Sequence, residues 1–174
     1  MFLLALNYKM ASILNFLTLL QYYPVFSSTQ MLKFATKIQY MTPRFHALKI
    51  SDVRKETEDT VSVAFDVPAS IKDNYSFLAG QYLTLKATIN GDAIRRSYSL
   101  CAAPYEQEWR VAIKQVEHGV FSSYANSVLK KGDTLDVMTP TGNFCLHPEK
   151  KAQKNYVLFA AGSGITPILS ILKT

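Results

Sequence analysis

The chain has 174 residues, 48% hydrophobic and 18% charged, with ten tyrosines and ten phenylalanines, a balance that excludes a disordered chain and suits one folded domain with an appendage. The formal net charge is +6, and residues 1–40 supply half of it through Lys9, Lys33 and Lys37 with no acid. No arginine-rich stripe or aromatic RNA-binding motif accompanies the charge, so nucleic acid is not an expected partner, and the short lysine clusters read as solvated surface.

Residues 1–40 differ from the rest. The first 26 are apolar and aromatic, interrupted by Asn7, Lys9, Asn15, Gln21 and Pro24. Their longest clean run falls short of the ~20 residues that span a bilayer, so a membrane partner is not expected. Three readings stay open. One is a misassigned start, with Met10, Met31 and Met41 as alternatives. The second is a weak signal or anchor, with Lys9 before apolar residues 11–20 but a poor cleavage signal at Ser27 and Ser28. The third is a genuine extra element. The main domain is expected over 41–147.

That domain reads as closely spaced strands. Residues 45–50 alternate apolar and polar, and 60–67 form a second alternating run ended by Pro68. Residues 81–89 give a third, closed by the turn pair Asn90-Gly91. Residues 94–101 give a fourth. Residues 109–116 give a fifth, with Val111, Ile113 and Val116 as inward candidates, and 134–138 a sixth. Six short strands with tight turns predict a mainly β fold, a closed six-stranded antiparallel barrel. One helix interrupts the series. Ser122 is its expected N-cap, Phe121, Ala125, Val128 and Leu129 share a face, Lys130 and Lys131 occupy its last turn, and Gly132 ends it.

Residues 148–155 are polar and read as a linker. Residues 156–161 are continuously apolar, as expected of a buried parallel strand. Gly162-Ser163-Gly164-Ile165-Thr166-Pro167 follows, with Pro167 expected at the first position of a helix and Thr166 as its cap. The cysteines, Cys101 and Cys145, form no CxxC pair and cannot ligate an ordinary iron–sulfur cluster, so free thiols in a reducing cytoplasm are expected. His46, His118 and His147 share no metal-ligand spacing, and no metal site is expected.

Three segments carry possible chemistry. In Arg96-Ser97-Tyr98-Ser99, strand alternation puts Arg96 and Tyr98 on one face and Ser97 and Ser99 on the other. A guanidinium suits phosphate oxygens and a tyrosine ring offers a flat surface to an aromatic cofactor. Alone, the tetrapeptide also fits an ordinary strand. In His118-Gly119-Val120-Phe121-Ser122, Gly119 permits close backbone approach and the helix start attracts phosphate, although Ser122 alone also fits a plain cap. The strand–Gly-Ser-Gly–helix unit has the ingredients of a dinucleotide-phosphate site, without a full GxGxxG.

In this order and spacing, with Pro140-Thr141-Gly142-Asn143-Phe144 between, these segments resemble the ferredoxin–NADP reductase superfamily over about 45–174. Phe77-Leu78-Ala79-Gly80-Gln81-Tyr82 is similar to that family's strand leading into the flavin site. Within the superfamily, residues 95–101 and 119–122 most resemble the reductase components of phenylacetyl-CoA epoxidases. The resemblance implies a Greek-key flavin-binding barrel followed by the first βα unit of an α/β nucleotide-binding domain over 156–174.

It implies roles as well. Arg96 would neutralise the FAD pyrophosphate, aided by the amides of Gly119, Val120, Phe121 and Ser122 and the Ser122 hydroxyl. Tyr98 would pack on the isoalloxazine, with Ser97 in the same motif. Ser99 would approach the flavin N5 region. Ile113 and Lys114 would border the cofactor. Gly162 and Gly164 would form the nucleotide turn, and Thr166 would sit near the nicotinamide. Ser99 and Thr166 are thus the residues nearest the chemistry, which is hydride transfer from NADPH or NADH to FAD and onward electron transfer to an iron–sulfur domain or protein serving an oxygenase component. The nucleotide domain is present only as its first unit, so the chain is expected to be a fragment or early-terminated product. Two alternatives stand beside this reading: a flavin-binding module without turnover, and a ferredoxin, flavodoxin or dioxygenase reductase.

Overall fold

The computed structural model describes residues 44–147 and 155–174. The expectations for 1–40, and for the linker apart from Asn155, lie outside the described residues.

Six antiparallel strands form the framework: β1 (Phe45–Thr57), β2 (Thr60–Asp66), β3 (Tyr82–Ile89), β4 (Asp92–Ser99), β5 (Trp109–Lys114) and β6 (Thr134–Met138). The sheet order β4-β3-β6-β1-β2-β5 is a Greek key. A bridge between Leu100 and Val111, with the Cys101 amide donating to the Arg110 carbonyl at 2.9 Å, brings the first and last strands together. Leu48, Ile50, Val63, Leu83, Leu85, Val111, Ile113 and Val137 fill the interior. Asn90 and Gly91, both at positive φ (54° and 89°), make the tight hairpin between β3 and β4 that their sequence announces.

Several boundaries differ from expectation for local reasons. β1 runs to Thr57, well past residue 50, because a register irregularity between Ile50 and Asp52 lets its pairing with β2 continue. β2 is buried on both faces rather than alternately, since Ser62 and Ala64 are covered as well as Val61, Val63 and Phe65. β5 stops at Lys114, and Val116, an expected inward candidate, is exposed.

The helix α1 (Val120–Ser127) has Gly119, not Ser122, as N-cap, and ends before Lys130 and Lys131. Phe121, Ala125 and Leu129 are buried as expected, whereas Val128 is exposed. Residues 156–161 are not a strand. Tyr156, Val157 and Phe159 are largely exposed, since a parallel strand is stable only against a hydrogen-bonded neighbour, and the six strands pair among themselves. The helix α2 (Ile165–Lys173) starts one residue after the 3₁₀ turn Gly162–Gly164, so Pro167 is its third residue rather than its first and Thr166 is inside it. The buried face of α2 comprises Ile168, Ser170 and Ile171. Among the described residues no helix is long and apolar enough to cross a membrane, and no group of His, Cys, Asp or Glu is placed to hold a metal ion.

Candidate functional site

β4 is paired on one side along its whole length, with Leu83 opposite Tyr98, Leu85 opposite Arg96 and Tyr82 opposite Ser99. Directly opposed residues share a face, so Arg96 and Tyr98 lie on the side of the two core leucines. Ser97 is on the other side, where its hydroxyl meets that of Thr84 at 2.9 Å, and Arg95 there stands over the Phe45 ring at 5.2 Å. The expected division of faces is therefore what the structure has. Arg96 is exposed, and its Nη1 donates to the Arg95 carbonyl at 2.7 Å. Tyr98 is half-buried against the core, and burial pushes its phenol up to about 12, with the Arg96 charge pulling the other way. Ser99, half-buried, ends the strand.

Facing Tyr98 across a short gap is Phe121 of α1, with ring centroids 5.8 Å apart at 36°. The chain reaches α1 through a compact knot. His118 adopts φ 58°, the Gly119 amide donates to the Val116 carbonyl at 3.0 Å, and the Ser122 hydroxyl donates to the Gly119 carbonyl at 3.1 Å while accepting from the Val116 amide at 3.2 Å. A Cβ on Gly119 would collide with Ser122 Oγ and Val116 Cγ2. Ser122 is thus buried and committed to the turn's shape. The amides of Val120, Phe121 and Ser122 have no intrahelical acceptor, as at any helix start, and they are the groups that could meet an anion. Beside them is a groove of about 490 Å³ between the β3–β4 hairpin and α1, lined by Asn90, His118, Gly119, Val120 and Tyr124 among others.

The segments on either side of Tyr82 are locked together. The Tyr82 amide donates to the Thr141 carbonyl at 2.9 Å and the Thr141 amide returns the bond at 3.1 Å. Gln81 accepts from the Leu78 amide and donates to the Gly142 carbonyl. Gly80, at φ +100°, lies where a Cβ would strike the Phe144 carbonyl oxygen. Gly80 and Gln81 had no assigned role in the sequence beyond their place in a motif.

The other expected residues gather elsewhere. Gly162, Thr166 and Lys114 line a cleft of about 630 Å³ between β2, β5 and α2, together with Cys101 and Ala102. Lys114 pairs with Asp59 at 2.7 Å, and that bond, with the Thr57 and Thr60 hydroxyls, holds the Asp59 carboxyl down at about 2. The Thr166 hydroxyl donates to the Ser163 carbonyl at 2.9 Å. No side chain would meet an obstacle at Gly162 or Gly164. Ile113 is a core residue with a fully buried side chain, and its carbonyl accepts from Asn126 at 3.1 Å. The structure thus groups Arg96, Tyr98 and Phe121 with the start of α1, and groups Lys114, Gly162 and Thr166 around a separate cleft.

One buried group has no counterpart among the sequence expectations. Arg110 has a nearly buried side chain, and its Nη2 donates to Asp52 at 2.7 Å and Glu108 at 2.8 Å. Its Nη1 donates to Ser62 at 2.8 Å, and Ser62 donates to Glu56 at 2.6 Å. Burial disfavours its charge, but the two carboxylates outweigh that and raise its pKa. This network covers Ser62 and explains why β2 has no exposed face. Cys101 and Cys145 are free, and burial raises the Cys101 thiol.

Residues 47–145 match the family described as the oxidoreductase FAD-binding domain. Over 130 residues the chain is 45% identical to a 1,2-phenylacetyl-CoA epoxidase subunit of Escherichia coli (strain K12), covering 75% of this chain and 36% of that protein. It is 36% identical over 129 residues to the ferredoxin reductase component of 3-ketosteroid-9-alpha-monooxygenase of Rhodococcus rhodochrous, covering 73% of this chain and 36% of the other. The structure of phthalate dioxygenase reductase, described as transferring electrons from pyridine nucleotides to a [2Fe-2S] centre, superposes with a TM-score of 0.60 at 33% identity, covering 74% of this chain and 39% of that one. The chain thus spans little more than a third of the length of these curated relatives.

Proposed function

The chain belongs to the oxidoreductase FAD-binding domain family, and from that premise we propose that it is the flavin-carrying part of an NAD(P)H-dependent electron-transfer reductase. The observation that carries the proposal is the grouping of a half-buried Tyr98 ring, an exposed Arg96 on the same strand face, and the open amides at the start of α1. FAD needs a flat apolar support for its ring and a positive environment for its pyrophosphate, and these residues supply both. Ser122 and Val116 fill the space a Gly119 side chain would need, so only glycine allows the tight turn that presents these amides. The residues present therefore fit the group.

Each residue has a definite part in this reading. Arg96 places its guanidinium against phosphate oxygens, a charge-assisted contact that Arg95 cannot share because it lies on the other face over Phe45. Val120, Phe121 and Ser122 contribute amides. Phe121 also backs Tyr98, and Tyr98 excludes water from one side of the ring. Ser99 offers a hydroxyl at the ring edge, whereas Ser97, bonded to Thr84, contributes through its backbone. Lys114, Gly162, Gly164 and Thr166 form the side from which the nicotinamide nucleotide approaches, and Ile113 shapes it through the core. When bound, FAD supplies hydride acceptance from NADPH or NADH and one-electron release to an iron–sulfur centre. An iron–sulfur domain or protein serving an oxygenase is the proposed acceptor. A phenylacetyl-CoA oxygenase is favoured because the Escherichia coli relative belongs to an epoxidase for that thioester. Free Cys101 and Cys145 fit a reducing cytoplasm.

The test is to purify the full chain and a form starting at Met41, record visible spectra and identify the released cofactor by mass. Both forms should carry FAD in equal amount, because every residue named above follows Met41. Absence of flavin from both would overturn the reading. A second reading, a flavin-binding module that turns over poorly, is favoured by the exposure of Tyr156, Val157 and Phe159 beside the Gly162 turn. Anaerobic stopped-flow bleaching by NADPH, with dithionite as control, separates the two. Rapid, saturable bleaching eliminates the second reading.

A further inference from the structure

We propose that Ser170 is a positioning residue that clamps the Gly162–Thr166 turn to the segment continuing the flavin strand. This rests on the flavin reading above and adds to it the device that sets the two clefts at a fixed separation. Ser170 is fully buried, and its hydroxyl donates to the Ala102 carbonyl at 2.6 Å across 68 residues of sequence. Ala102 is itself buried and lies three residues beyond Ser99, in the segment tied to β5 by the Cys101–Arg110 bond. At the helix end, Lys173 reaches both Glu106 carboxylate oxygens at 3.2 Å, and Glu106 Oε2 accepts from the Ala103 amide at 2.6 Å. That amide, with Lys173, lowers the Glu106 pKa and keeps the pair ionised.

Only a short apolar strip backs these bonds. Ile168 and Ile171 are buried, while Ile165, Leu169 and Leu172 on the same helix are exposed. A helix held by one narrow face slides and rotates unless a directional contact fixes it. The Ser170 bond is buried and directional, whereas the Lys173–Glu106 pair is partly solvated and weaker. A serine in the middle of the buried stripe of a short helix has no packing reason to be there, since alanine would fill the space. Its hydroxyl is what the position uses. Rate in a hydride transfer depends on sub-ångström placement of the donor side, and Ser170 is the group that transmits the position of the flavin strand to the turn bearing Thr166.

The experiment uses the full chain loaded with FAD. Ser163, exposed in the turn and without an assigned role, is changed to cysteine in a Cys145→Ser background and labelled with a blue-emitting coumarin maleimide. Time-resolved energy transfer to bound FAD then reports the distribution of turn-to-flavin distances. The parent should give one narrow distribution. Ser170→Ala should keep its FAD affinity and its unfolding midpoint close to the parent's but lower the docked-to-released ratio about tenfold, seen as a second, longer-distance population. Glu106→Gln, which keeps an acceptor for the Ala103 amide, should broaden the distribution to a smaller extent. A parent that retains FAD, with the same narrow distribution in both variants, overturns the positioning role alone. A parent that retains no FAD overturns the flavin reading and the positioning role with it.

Discussion

The Tyr98 and Phe121 rings face each other at 5.8 Å, joining the strand that carries Arg96 to the helix whose first amides are free of intrahelical partners. Phe121 is 1% exposed, so its ring is a structural wall as well as a neighbour of the proposed cofactor. Phe121→Ala should cost about 3–5 kcal/mol of stability and weaken FAD binding, because Tyr98 loses its support. Denaturant unfolding of the flavin-free chain and a flavin fluorescence titration measure the two effects. A destabilised variant with unchanged FAD affinity would remove Tyr98 from the site.

Arg96 and Arg95 are adjacent in sequence but occupy opposite faces of β4. Arg96→Ala should weaken FAD binding about tenfold or more, the worth of a charge-assisted hydrogen bond. Arg95→Ala should change it little and instead lose the contact with Phe45. Equal losses in the fluorescence titration would contradict the assignment.

Burial pushes the phenols of Tyr75 and Tyr98 from 10.0 to about 12. A folded-state pKa above the unfolded one contributes stability that is complete below pH 10 and is lost as pH rises through 12. Stability should therefore fall over that window, and the fall should be smaller in Tyr98→Phe, which removes one of the two phenols. Urea unfolding at several alkaline pH values, with tyrosinate absorbance followed in parallel, checks this. Tyr75 has an added anchor, since its hydroxyl donates to the Val137 carbonyl at 2.8 Å.

Gly80 and Gly91 separate backbone strain from steric conflict. Both have positive φ, but a Cβ meets nothing at Gly91 and strikes the Phe144 carbonyl oxygen at Gly80. Gly91→Ala should cost about 1–2 kcal/mol. Gly80→Ala should cost more and should also loosen the bond from Gln81 to the Gly142 carbonyl. Thermal melts of the two variants give the comparison, and equal shifts would mean that the Phe144 segment yields freely.

The barrel was legible because its strands alternate and its turns carry their own chemistry, as at Asn90 and Gly91. The face division of Arg96 and Tyr98 against Ser97 followed from period-two geometry alone. The start of α1 differs from expectation because a serine hydroxyl near a helix start fits two roles. Ser122 turns back to Gly119 and Val116, and a plain N-cap would look the same in sequence. Residues 156–161 read as a buried strand because an apolar run says nothing about whether a neighbour is there to pair with. The Arg110 network was invisible for a related reason. Its partners Asp52 and Ser62 are 58 and 48 residues away and come together only through the β1–β2–β5 pairing. The only local hint was Glu108, two residues before it.

The closure between Leu100 and Val111 has a consequence for how the cofactor would be kept. A sheet that wraps round and meets itself through a single bridge has its weakest line there, and fluctuations open a structure where the fewest hydrogen bonds must break. That line begins at the residue after Ser99, so an excursion that parts β4 from β5 also disturbs the end of the Tyr98 strand. A ligand resting on that strand while anchored at α1 would work as a latch, slowing exchange of the Cys101 amide, which bonds across the closure to Arg110, when it is in place. Release of the ligand and opening of the barrel would then be one event, with cofactor retention limited by how often the closure line parts.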